Sequence, residues 1–223
     1  ITLGALATSA GITTIIDGTG DTNLTLTAGH TSSTTIHLAT GDDTITATNY
    51  TGVLTVNVNQ DSISINDTLI GGSDSSDTIN LTATANTLTA AELANVSGFE
   101  NLKIVQDVTT GLITLSDSNI GTGKSLTIDA TAQTTTNLLI NAANETDGNV
   151  TINRGASTGT AFITLGQGDD TYTSISGAVD TVIGTDGSNV ISTGAGDDHI
   201  TTGKGVDVIF GGEGVDTVAY SGN

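Results

Sequence analysis

The sequence contains no cysteine, proline, methionine or tryptophan. Without cysteine there are no disulfides and no thiolate-bound metals. Three Tyr and three Phe are too few to fill a large globular core, so small β-branched side chains must fill a thin one. Four Lys and Arg stand against 24 Asp and Glu, for a net charge of −20. That imbalance excludes nucleic acid and an anionic membrane surface as partners. No apolar run approaches the roughly 18 residues a membrane-spanning helix needs. The opening ITLGALATSAGITTII lacks the basic start of a signal peptide. Because it opens inside an apolar alternating run and stops at AYSGN just past a repeat, the chain reads as a piece of a longer protein.

Thr and Asp are abundant instead. Thr is about one residue in five, which favours strands over long helices. Twenty of the 24 acids are Asp, and they cluster in turns such as TGDD, GGSDSSD and GQGDD. Packed acids of one sign repel one another unless a counter-ion intervenes.

Residues 165–219 supply the organising pattern. Cut into nines they read LGQGDDTYT, then after Ser174 ISGAVDTVI, GTDGSNVIS, TGAGDDHIT, TGKGVDVIF and GGEGVDTVA. The sixth place holds Asp170, Asp180, Asn189, Asp198, Asp207 and Asp216. The eighth holds Tyr172, Val182, Ile191, Ile200, Ile209 and Val218. A glycine-rich nonapeptide with one apolar place predicts a stacked β-solenoid in which two nines make a coil. Glycines at places two and four let a six-residue turn take positive φ and aim carbonyls at a cation. Carboxylates add the hard oxygens that calcium prefers. The predicted ligand set is Gly166, Gly168, Asp169, Asp170, Asp180, Asp186, Gly187, Asn189, Gly194, Gly196, Asp197, Asp198, Gly203, Gly205, Asp207, Gly212, Gly214 and Asp216. With two nines per coil, one edge carries Asp180, Asp198 and Asp216, and the other Asp170, Asn189 and Asp207. Several calcium ions are expected. The loops at 175–183 and at Asn189 should bind most weakly or hold none, because Ala178 replaces a Gly and Asn189 an Asp.

This block resembles the RTX family of calcium-binding secreted bacterial proteins. The resemblance covers about a quarter of the chain and implies an extracellular, calcium-loaded solenoid. Upstream, residues 1–86 alternate in strand fashion between turns and hold degenerate repeats. TGDDTIT at 40–46 and GGSDSSDTI at 71–79 suggest further calcium sites at Asp42 with Asp43 and at Asp74 with Asp77, or Asx turns without metal. Residues 87–106 break the pattern. Thr89 and Glu92 form a capping box before AAELANV, and Gly98 would stop the helix, so a short helical insertion is predicted. Its SGFENL ending resembles a segment of bacterial surface-layer and related RTX proteins. Residues 107–164 resume strands with few acids, a solenoid without calcium loops, ahead of the calcium-binding β-roll at 165–223.

Catalytic patterns are weak. GASTG at 155–159 fits the nucleophile-elbow spacing around Ser157, but the elbow needs a helix after it and TAFITL reads as a strand. There is no H-E-x-x-H, and His30 and His37 read as surface residues. The expectation is an all-β, right-handed parallel solenoid without enzymatic activity, part of a secreted bacterial surface-layer or matrix protein that self-associates in calcium. Cell-surface polysaccharide is a further candidate partner. Alternative readings are the calcium-binding stalk of an RTX adhesin and the non-catalytic tail of a secreted enzyme. Neither end shows a capping helix.

Overall fold

A computed structural model describes residues 1–59, 62–82, 87–107 and 111–221. The chain winds into a parallel β-solenoid of about 10 turns. One face is a single ten-stranded sheet that climbs from Thr14–Ile16 to Val208–Phe210. The opposite face is made by two sheets in succession. Five strands run from Thr2–Leu3 to Val96–Ser97, and six from Leu112–Thr114 to Thr217–Tyr220.

Alternation builds each rung. Along the ten-stranded sheet Ile36, Val56, Ile79, Leu102, Ile128, Ile152, Tyr172 and Ile191 stack in register, all buried. Their neighbours Thr55, Thr127, Thr151 and Thr171 face outward, half-buried. β-Branched side chains suit this half-buried pleated surface. Val182 and Ile200 do the same for the facing sheet. In the last described coil Ile209 is half-buried and Val218 exposed. Coil length varies along the stack. Asn101 pairs with Thr127, whereas Val190 pairs with Val208, so the coils settle to two nonapeptides only near the carboxyl end.

The expected helix at 87–106 does not form. The capping box is there: Glu92 N–H donates to Thr89 Oγ1 at 3.3 Å, and Thr89 N–H donates to Glu92 Oε2 at 2.8 Å. Only a single turn follows, closed by Leu93 N–H to Thr89 O at 3.1 Å. Leu88, Leu93, Val96 and Phe99 are all claimed by the core, and Val96–Ser97 pairs as a strand with Leu69–Ile70. A helix that cannot propagate past its first turn does not offset its nucleation cost. Nor is the segment a lateral insertion. Leu88 bridges to Ile113 in the second short sheet while Val96 and Ser97 close the first, so this coil is the seam between them. The boundary expected at residue 86 lies outside the described residues.

A helix occurs where none was expected. Ala5–Ser9 lies over the first coil, and its Thr8 Oγ1 is 2.9 Å from Nδ1 of His30. His30 is not a surface residue. It is fully buried, bonded through Nε2 to Thr34 Oγ1 at 2.8 Å and stacked on Tyr50 with ring centroids 5.7 Å apart. His37 is exposed.

Candidate calcium-binding edges

The sixth-place residues stack along two corners of the solenoid, each hydrogen-bonded to the one two repeats earlier. On one corner Asp180 N–H donates to Asp198 Oδ1 at 2.7 Å, and Asp198 N–H to Asp216 Oδ1 at 3.1 Å. On the other, Val150 N–H donates to Asp170 Oδ1 at 2.7 Å, Asp170 N–H to Asn189 Oδ1 at 3.0 Å, and Asn189 N–H to Asp207 Oδ1 at 2.9 Å. The cause is local. Each sixth place immediately precedes or opens a strand, where an amide lacks a ladder partner and the short side chain above supplies one.

Glycines permit this close stacking, though not all by the route the sequence suggested. Gly187, Gly194, Gly196, Gly205, Gly212 and Gly214 have positive φ, but Gly166, Gly168 and Gly203 do not. For these the constraint is proximity: a Cβ on Gly168 would strike the carbonyl oxygen of Gly148, and one on Gly203 that of Thr185. Place-five carboxylates repeat the ladder at the surface. Asp169 Oδ1 accepts from Ser188 N–H and Asp197 Oδ1 from Val215 N–H, each at 2.8 Å. Asp186 is exposed, and Asp207 and Asp216 are half-buried in the last coil.

In Asp170, Asp198, Asp207 and Asp216 one carboxylate oxygen is used by an amide; the other matters for a cation. Asp170 Oδ2 and Asp198 Oδ2 are buried without a hydrogen-bond partner. Burial pushes the Asp170 carboxyl up to about 6, against the amides of Val150 and Gly166, and the charges of Glu145 and Asp169 add to the rise. A buried carboxylate oxygen with no partner is costly unless a proton or a cation neutralises it. The donor set is all hard oxygen, the set calcium takes. The residues present therefore fit calcium, which would be held through Asp170 and Asp198 with neighbouring carboxylates and turn carbonyls, and which would supply the missing positive charge.

Asp180 is neutralised from within. Arg154, the only arginine, donates through Nη1 to Asp180 Oδ1 and through Nη2 to Gly159 O. Tyr172 Oη donates to Asp180 Oδ2 at 2.8 Å. Both partners of the ion pair are shielded from solvent. Burial raises the Asp180 carboxyl, while the guanidinium and the phenol pull it back. Sequence reasoning missed Arg154, whose partner lies 26 residues away; its rarity among four basic residues was the available signal.

The upstream candidates separate. Asp43 joins a ladder of its own, accepting from Thr22 N–H at 2.8 Å through Oδ1, with its own N–H donating to Asp67 Oδ1 at 2.5 Å. Asp43 Oδ2 is buried and unpartnered, and burial lifts the carboxyl to about 6. Asp42 is exposed and accepts from Asn66 Nδ2 at 3.1 Å. Asp77 has both oxygens committed, to Leu54 N–H at 2.7 Å and Gly72 N–H at 2.5 Å, and its own N–H donates to Glu100 Oε2 at 3.1 Å. Asp74 is half-exposed beside it. Asp67 and Glu100 thus belong to the same ladders although neither stands in a recognisable repeat.

Ser157 is buried, its Oγ accepts from Gly159 N–H at 3.2 Å, and strand Ala161–Thr164 follows. The strand–turn–helix of a nucleophile elbow is not built there.

The RTX calcium-binding nonapeptide repeat matches residues 183–218, in four copies. The sixth-place residues of the match, Asn189, Asp198, Asp207 and Asp216, lie on the two corners just described, and repeats of this kind bind calcium. Neither a curated protein nor a solved structure matches the chain. No helix among the described residues is long and apolar enough to cross a membrane.

Proposed function

We propose that this chain is a non-catalytic, calcium-stiffened segment of a secreted bacterial cell-surface protein that assembles with copies of itself into a surface layer or matrix. The observation that carries the reading is the pair of buried, unpartnered oxygens on Asp170 and Asp198, on the same two corners as the matched repeats. Calcium there removes a charge problem that packing cannot solve, so its binding free energy becomes folding free energy. The acidic faces of a chain carrying −20 repel other copies until the ion screens or bridges them. Cell-surface polysaccharide remains a second partner class for the assembled layer.

Light scattering and electron microscopy of the full chain, titrated with calcium, test assembly directly. Sheets or filaments in the millimolar range typical of extracellular calcium modules, and not with magnesium, support it. A calcium-loaded chain that stays monomeric throughout overturns assembly and favours the stalk of an adhesin. Hydrolytic activity of the purified chain would overturn the non-catalytic reading.

A further inference from the structure

Below the first matched corner lies a carboxylate cluster in a stretch whose turns hold few acids. Asp117, Glu145 and Asp147 come from two successive coils, and one carboxylate oxygen from each lies within 4.8 Å of the others. Glu145 is fully buried. Its Oε1 accepts from Gly148 N–H at 2.8 Å and Asp147 N–H at 3.2 Å, whereas its Oε2 is buried with no partner. Burial raises the Glu145 carboxyl, and the charges of Asp117 and Asp147 raise it further. The two exposed members are held in place by the neighbouring coil. Asp117 Oδ1 accepts from Thr146 N–H at 2.9 Å and Thr146 Oγ1 at 2.6 Å, and Asp147 Oδ2 accepts from Thr122 Oγ1 at 2.5 Å. Each keeps its second oxygen for another ligand. The two ion pairs among the described residues, Lys103–Asp129 and Arg154–Asp180, involve none of the three.

We infer that Asp117, Glu145 and Asp147 form a calcium site outside the nonapeptide repeats, one coil below Asp170. This coil has Val150 at the foot of the sixth-place ladder, where the coils above carry Asp170, Asn189 and Asp207, and Glu145 brings a buried carboxylate to the corner from the turn instead. Three preorganised carboxylates with one side open to water suit a hard cation with a six-to-eight-oxygen shell, and suit the small octahedral shell of magnesium less well. The inference does not rest on the assembly reading.

Equilibrium dialysis of the full chain against calcium decides it. The double substitution Asp117→Asn/Asp147→Asn changes only exposed side chains and keeps their size, so folding is preserved. It is expected to bind one fewer ion than the unaltered chain, a loss additive with that of Asp198→Ala. Glu145→Gln is expected to lose the same ion and, in the calcium-free chain, to raise the thermal midpoint by removing a buried charge. An unchanged ion count in the double variant overturns the site, and so does a Glu145→Gln chain that folds and binds the full complement. Magnesium displacing calcium from this site at equal concentration would overturn the assignment to calcium.

Discussion

The guanidinium of Arg154 meets the carboxylate of Asp180 where neither is reached by solvent, and Tyr172 closes the other carboxylate oxygen at 2.8 Å. A protein-borne cation thus stands at the foot of the ladder that continues through Asp198 and Asp216. The lowest carboxylate of that corner needs no metal, whereas Asp198, one coil above, has a buried oxygen with no partner.

Arg154→Met leaves Asp180 buried and unpaired, and is expected to cost about 3–5 kcal/mol of stability. Adding Asp180→Asn should recover most of that loss, because the uncompensated charge goes with it. Urea denaturation of the calcium-loaded chains measures both. A loss under about 1 kcal/mol for the single change would show that the pair is not a closed one.

Asp198→Asn keeps the acceptor for the Asp180 amide but removes the charge. It should fold in the absence of calcium and bind less of it. Asn189→Asp restores a carboxylate to the other corner, where Asn189 Nδ2 is buried without a partner, and should bind more. Calorimetric titration of both variants gives the two signs; equal affinity and ion count in both would contradict the corner assignment.

The calcium-free chain should lose stability as pH rises. The carboxyls of Asp43 and Asp170 are lifted from 3.8 to about 6 by burial. Between those values the folded chain holds protons that the unfolded chain has released, so stability falls with rising pH across that window and levels off above it. For Asp170 the upper bound is about 3 kcal/mol, before solvent screening reduces it. Denaturation at pH 4 and pH 7.5 after exhaustive removal of calcium reads the effect, and saturating calcium should flatten it. Higher metal-free stability at pH 7.5 would be the contrary result.

Gly212→Ala tests the stacking of the turns. Gly212 has φ 101°, and a Cβ there would enter the carbonyl oxygen of Gly194. The left-handed conformation alone costs about 1–2 kcal/mol, and the collision adds to it. Gly177 has open space around its Cβ position, so Gly177→Ala should stay within about 0.5 kcal/mol. Thermal midpoints of the two variants, compared in calcium, separate them.

What could be read from the sequence was whatever repeats at a fixed step. The nine-residue period places Asp198 over Asp180 and Asp207 over Asn189, since a strict period converts order along the chain into position in the stack. Where coil length drifts, the same ladder is invisible: Asp67 and Glu100 hold ladder positions without a repeat to announce them. The Thr89–Glu92 box is a true local signal, but tertiary demand on Leu93 and Val96 decided the segment. Arg154 with Asp180, and Asp117 with Thr146, are pairs from different coils, 26 and 29 residues apart. No local pattern carries such pairs.

The seam at residues 87–97 has a mechanical consequence. Above and below it the solenoid is held by hydrogen-bonded ladders on both faces, but at the seam, among the described residues, only the ten-stranded sheet passes through without interruption. A rod with one unbroken rail and one spliced rail yields first at the splice, and it bends there about the unbroken side. Load carried along this molecule would therefore be absorbed at a joint in its middle, beside the coil that carries Asp117 and away from the nonapeptide corners of Asp170 and Asp198.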